Sequence, residues 1–417
     1  MKLSRRSVVG MALATVGLGG APALAQSSDQ EIKFALLQDF TAVYTFVTGE
    51  YNQGQQDYLT LVNLEGGVHG HTFSTIVRDT GNQPQRGIEA YNRAKEEGAI
   101  LFDFFSTPVS RAMVDQILAD ERVMITALHG RGDASAGETF PYVFPMMATY
   151  WSQATVLAKY IDDSAGLEGK KIALVHIDSP FGREPIEVLR ELSEEKDFTF
   201  QTFAYASPGN EQSSTWSEVR RFSPDYVMIW GAGGGQTVSV REAIRNGIPA
   251  ANILSVVWLA ETDAANVGPD VMRGVKKFAA TSTGTDSPIL QRIVTQVADA
   301  GLSAGDVANV GTSYYNVGVA AMAIAVEAAR LALEEDASGP LTADRLKAGF
   351  EQISGFDAEG LIPPVTITAQ DHQGGGAGRV VEWTGSGWEP VSDWGAAFQE
   401  IVQREIDAGA EAFRQGN

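Results

Sequence analysis

The 417-residue chain contains no cysteine. Disulfides, thiolate metal sites, thiol nucleophiles and a cysteine-linked lipid anchor are therefore excluded. Basic residues are scarce, with 31 Lys and Arg against 52 Asp and Glu, a formal net charge of −21. Such an acidic surface repels nucleic-acid phosphates and anionic lipid, so neither is expected as a partner. After the first 25 residues no apolar run approaches the ~20 residues of a membrane span, so the mature chain is expected not to insert into a membrane. Catalytic signatures are missing as well: there is no Gly-x-Ser-x-Gly elbow, phosphate-binding loop or His-Glu-x-x-His. His69-Gly70-His71 has no acidic ligands around it and reads as a surface turn rather than a metal site. Gly231-Ala232-Gly233-Gly234-Gly235 fails the dinucleotide fingerprint and reads as a loop whose bare backbone can approach a ligand closely. No cofactor and no enzymatic activity are expected.

What is present begins with an export signal. Lys2, Arg5 and Arg6 precede an apolar stretch from Val8 to Gly20, and Ala21-Pro22-Ala23-Leu24-Ala25 offers the small residues a signal peptidase reads. Cleavage after Ala25 is expected. Ser4-Arg5-Arg6-Ser7-Val8-Val9 also fits a twin-arginine signal, with the general route as the alternative. Removing Lys2, Arg5 and Arg6, the only charges in that segment, takes the net charge from −21 to −24.

The remainder alternates strands with helices. Residues 31–37, 73–77, 99–102, 123–125, 171–177, 226–230 and 253–258 are short apolar or alternating runs of strand character. Residues 51–63, 85–97, 152–162, 184–195, 237–246 and 312–334 have helical periodicity between or after them. This spacing predicts doubly wound α/β domains, and the strands are too many for one open sheet. Two α/β lobes are expected. Trp394, Ala397, Phe398, Ile401, Val402 and Ile406 recur at three-and-four spacing, predicting an amphipathic C-terminal helix over 393–417 that packs on its own lobe.

Several local patterns, in order, carry a resemblance. They include Leu37-Gln38-Asp39-Phe40-Thr41, Glu65-Gly66-Gly67-Val68-His69-Gly70 and Ser106-Thr107 after the third strand. Phe140-Pro141-Tyr142-Val143-Phe144, Asp178 with Phe181-Gly182, Asn246-Gly247-Ile248-Pro249 and Tyr314-Tyr315-Asn316 follow. Across its mature length the chain resembles the periplasmic solute-binding proteins of ABC importers, of the branched-chain amino acid (leucine/isoleucine/valine) type. The resemblance implies two doubly wound parallel-sheet lobes joined by a three-strand hinge. Lobe 1 would be 31–146 plus 280–365, and lobe 2 would be 147–279 plus 366–392. It further implies a small-molecule ligand held by hinge closure, membrane permease subunits as partners and a periplasmic location. A periplasmic sensor presenting its ligand to a signalling partner, or an uptake receptor for an amide or urea, is the alternative.

Ligands of open α/β sheets sit beyond the carboxyl ends of the strands, so candidate residues lie in the loops there. These are Tyr44, Phe105, Ser106, Thr107, Leu128, His129, Tyr150, Phe181, Trp230, Trp258 and Glu261. The resemblance assigns a ligand carboxylate to Ser106 and Thr107 and an ammonium to Glu261. Around Leu128–Gly130 the family's small residues are replaced, and Tyr150, Trp151 and Trp258 add aromatic bulk. A small organic acid is expected, either an apolar amino acid or an aromatic carboxylate.

Overall fold

The computed structural model describes residues 31–416, so the expected signal lies outside the described residues. The first sheet holds β1 (Glu31–Gln38), β2 (Thr72–Asp79), β3 (Leu101–Asp103), β4 (Val123–Ile125) and β5 (Val143–Phe144), in the order β2-β1-β3-β4-β5 and parallel throughout. The second holds β6 (Lys171–Ile177), β7 (Thr199–Tyr205), β8 (Tyr226–Trp230), β9 (Ile253–Ser255), β10 (Lys276–Ala279), β11 (Arg379–Trp383) and β12 (Trp388–Pro390), in the order β12-β11-β10-β9-β8-β6-β7. β6 through β10 pair in parallel, while β11 and β12 add antiparallel edges. The central strands are buried along their length, as parallel strands covered by helices on both faces must be. β7 escapes an apolar-run reading because its residues alternate outward at the sheet edge.

The chain enters the second sheet after β5 and leaves it after β10. It then lays the helix Ser313–Glu335 along Thr45–Leu64 of the first lobe and rejoins the second sheet at β11. Gly54 and Gly318 permit this helix pair to approach closely, since a Cβ at either would meet the other backbone at 2.2 or 2.1 Å. Ser313–Glu335 corrects one sequence expectation: it is long and apolar enough to span a membrane. Most of it is buried, because it is the alanine-rich core helix of its lobe.

The C-terminal helix, Gln399–Arg414, departs from the expectation that it serves one lobe. Arg404 pairs with Glu191 and Glu195 of the second lobe. Farther along, Phe413 packs on Phe140 of the first lobe at 4.6 Å, and the Arg131 guanidinium lies 4.9 Å from both rings. The helix fastens the two lobes together.

Candidate ligand-binding site

The order of the first sheet reverses between β1 and β3, so the loops leaving those strands diverge and open a crevice. Two buried carboxylates shape these loops. Asp39 accepts hydrogen bonds from the backbone N–H groups of Thr41, Ala42 and Tyr44 at 3.2, 2.7 and 2.8 Å. The loop it folds puts Tyr44 at the N-cap and Phe46 and Val47 in the first turn of Thr45–Leu64. Asp103 accepts from the Phe105 N–H at 3.0 Å and from Gln38, Tyr51 and Gln55 at 3.0, 2.9 and 2.7 Å. Phe105 is thereby held at φ +42°, its ring stacked on Tyr51 at 3.9 Å. Burial raises the Asp103 carboxyl to about 6, against the pull of those four donors.

Ser106 caps the helix Thr107–Ala119. Its hydroxyl accepts from the Val109 N–H at 3.2 Å and donates to Asn82 Oδ1 at 2.6 Å. The proton expected for a ligand is thus committed to Asn82, and Thr107 is the better placed donor of the pair. Beyond β4, His129 Nδ1 lies 3.0 Å from the Ala127 carbonyl oxygen. Burial lowers the imidazole to about 4.

The second lobe contributes Tyr150, at the start of the helix Tyr150–Ala165, and Trp258, in the loop after β9. Trp258 Nε1 donates to the Tyr150 hydroxyl at 2.7 Å, and the Trp258 ring meets Phe105 edge-on at 5.3 Å. Burial holds the Tyr150 phenol protonated far above its ordinary range, opposed by hydrogen bonds from Trp258 and Thr107.

A cavity lies between the lobes. Tyr44, Phe105, Ser106, Thr107, His129, Tyr150 and Trp258 line it, together with Phe46 and Val47, which the sequence reading missed. Four candidates lie elsewhere. Leu128 sits at φ +59° with its carbonyl accepting from Gln153 Nε2 at 3.1 Å, and its side chain is wholly buried. Phe181 and Trp230 stand behind Tyr150, at ring distances of 5.0 and 5.8 Å. Glu261 accepts from Ser313 Oγ of the opposite lobe at 2.8 Å, so its carboxylate faces a lobe contact rather than the cavity. The glycine run does not line the cavity: Gly233 lies against Phe46, which does, and Gly231 against the Tyr205 hydroxyl. His69 is exposed, and His71 turns inward to the Ala337 carbonyl at 3.1 Å.

The lobes also meet outside the cavity. Arg111 of the first lobe pairs with Glu184 of the second at 2.8 Å, with the carboxylate side chain only 4% exposed. Burial raises Glu184 despite the opposing Arg111 charge. Tyr314 donates to the Trp258 carbonyl at 2.6 Å. Lys277 of β10 donates to Ser313 at 2.8 Å, its ammonium lowered to about 8 by burial.

This geometry has counterparts. A structure from the Pseudomonas fluorescens group, described as an ABC transporter permease, superimposes with a TM-score of 0.86 at 32% identity, covering 93% of this chain and 98% of its own. A branched-chain amino acid ABC transporter protein from Thermus thermophilus with bound valine shares the fold at a TM-score of 0.78 and 20% identity, over 90% and 98% of the two chains. The Leu/Ile/Val-binding protein BraC3 of Rhizobium johnstonii is 22% identical over 281 residues, 66% of this chain and 74% of that protein. The periplasmic binding protein family model matches residues 31–387, everything from β1 to the turn before β12. With the first sheet, the second sheet as far as β11 and the cleft between them inside that match, the chain belongs to the periplasmic binding protein family, whose members bind solutes rather than transform them.

Proposed function

We propose that this protein is the periplasmic substrate-binding component of an ABC importer, and that it captures a compact organic acid with an apolar body and delivers it to a membrane permease. The cavity carries this reading. Its walls are aromatic side chains from both lobes, Tyr44, Phe46, Phe105, Tyr150 and Trp258. Thr107, at the first turn of a 13-residue helix, offers its N–H where the helix dipole favours negative charge, while its hydroxyl lies against the Tyr150 oxygen. Tyr150 is a protonated phenol whose oxygen already accepts from Trp258, which leaves its proton for a ligand oxygen. Among the described residues no Asp or Glu lines the cavity, which favours an organic acid over a zwitterionic amino acid whose ammonium would need a counter-charge.

The test is a thermal-shift screen of amino acids, aromatic acids, amides and polyols, followed by titration of the best ligand. Thr107→Ala combined with Tyr150→Phe is expected to weaken an acid by 10- to 100-fold or more, given ~1.5–3 kcal/mol per hydrogen bond to a charged group. A shift with polyols or amides alone, or an affinity unchanged in the double variant, overturns the acid reading.

A further inference from the structure

We propose that His129 makes the site selective for ligands that donate a hydrogen bond, so that the acid taken up carries a neutral hydroxyl as well as its carboxylate. The inference rests on the acid-binding reading of the same cavity and names the ligand class more narrowly. A carbonyl oxygen can only accept, so the 3.0 Å contact with Ala127 requires the proton to sit on Nδ1. In the neutral ring Nε2 is then an acceptor. The ring is 3% exposed and lines the cavity, and Nε2 is buried without a partner in the protein. Buried acceptors are almost always bonded, and an unpaired one is costly. Protonation does not relieve it, because burial keeps the ring neutral down to about pH 4.

The partner is therefore sought in the ligand. A carboxylate oxygen would meet the Nε2 lone pair with its own. An ammonium would enter with no carboxylate beside it, since Glu261 is engaged by Ser313 and Glu184 by Arg111. A hydroxyl has neither defect. The edge-on contacts of Phe105 with His129 at 5.9 Å and with Trp258 at 5.3 Å leave a cavity walled by ring edges and faces, suited to a flat or compact apolar body. The ligand class is a hydroxylated aromatic or branched aliphatic acid.

The experiment is calorimetric titration with matched pairs: benzoate against 3- and 4-hydroxybenzoate, and isovalerate against 2-hydroxyisovalerate, with valine alongside. In the unmodified protein at least one hydroxy acid is expected to bind ten-fold or more tightly than its parent. His129→Leu should erase that preference, and His129→Gln, which retains an acceptor oxygen, should keep part of it. Melting curves of both variants show whether they fold. Equal affinity within every pair, or a preference that survives in His129→Leu, overturns the inference. If Tyr150→Phe weakens both members of a pair alike, the acid reading stands by itself, whatever the His129 variants show. Binding of 4-hydroxybenzyl alcohol but of no acid, lost in His129→Leu, would instead keep the inference's hydrogen-bond selectivity and discard the acid.

Discussion

At the scale of single residues, the site depends on carboxylates that never reach the ligand. Asp39 spends its oxygens on backbone N–H groups, and Asp103 divides its own between the Phe105 N–H and the side chains of Gln38, Tyr51 and Gln55; those bonds orient Tyr44 and Phe105. Candidates chosen because they follow strands reach the cavity where the local backbone turns them inward. Ser106 does so by its place but not its proton, which belongs to Asn82. Leu128 fails because its left-handed backbone sends the side chain into the core, a direction that residue type does not reveal. Phe46 and Val47 were hidden because they lie inside the first turn of a helix, where an apolar residue reads as core. His129 has a consequence for stability. Its folded value of about 4 lies below the 6.5 of the free side chain, so the unfolded chain takes up a proton that the fold refuses. The stabilisation is complete above 6.5 and is lost as pH falls toward 4, by about 3 kcal/mol at most. Asp103 runs the other way, losing stabilisation as pH rises through about 6, but it is common to the wild type and a His129→Gln variant. Denaturant curves of the two at pH 7 and 4.5 should therefore show the wild type losing ground to the variant on acidification. A pH-independent difference would sink this account.

At the scale of elements, the alternation of strands and helices was legible because buried parallel strands leave apolar runs. β7 and β12 were not, being edge strands with outward polar residues. The C-terminal stripe was legible as a helix, but its destination was not. A three-and-four period gives the width of an apolar face and says nothing of what covers it. Ile401, Val402, Ile406 and Ala410 form that buried face. Ile401→Ala should cost about 2–4 kcal/mol, the usual loss for a large buried aliphatic side chain. Chemical denaturation measures it, and a loss below about 0.5 kcal/mol would show the helix to be an appendage.

At the scale of the molecule, two lobes followed from strand number, while their segments followed only from the resemblance. The contacts that close one lobe on the other join residues such as Arg111 and Glu184, or Glu261 and Ser313, which no local pattern connects. Removing the cation from a buried pair leaves a charge in the interface without compensation. Arg111→Ala should thus disfavour closure, weakening ligand binding by about ten-fold, or about 1.4 kcal/mol. Small-angle scattering with saturating ligand would register a larger radius of gyration at neutral pH, partly recovered on acidification as the raised Glu184 carboxyl is neutralised. Unchanged affinity and radius would leave the pair with no part in closure. The same cleft supplies its own optics. Trp258 is the tryptophan that lines the cavity, its indole N–H tied to Tyr150. Its emission should shift with occupancy, while Trp216, enclosed within the second lobe, gives a steady background. In a chain without cysteine, one introduced thiol per lobe would carry a dye pair with no competing label, so occupancy and closure could be followed separately in the same molecule.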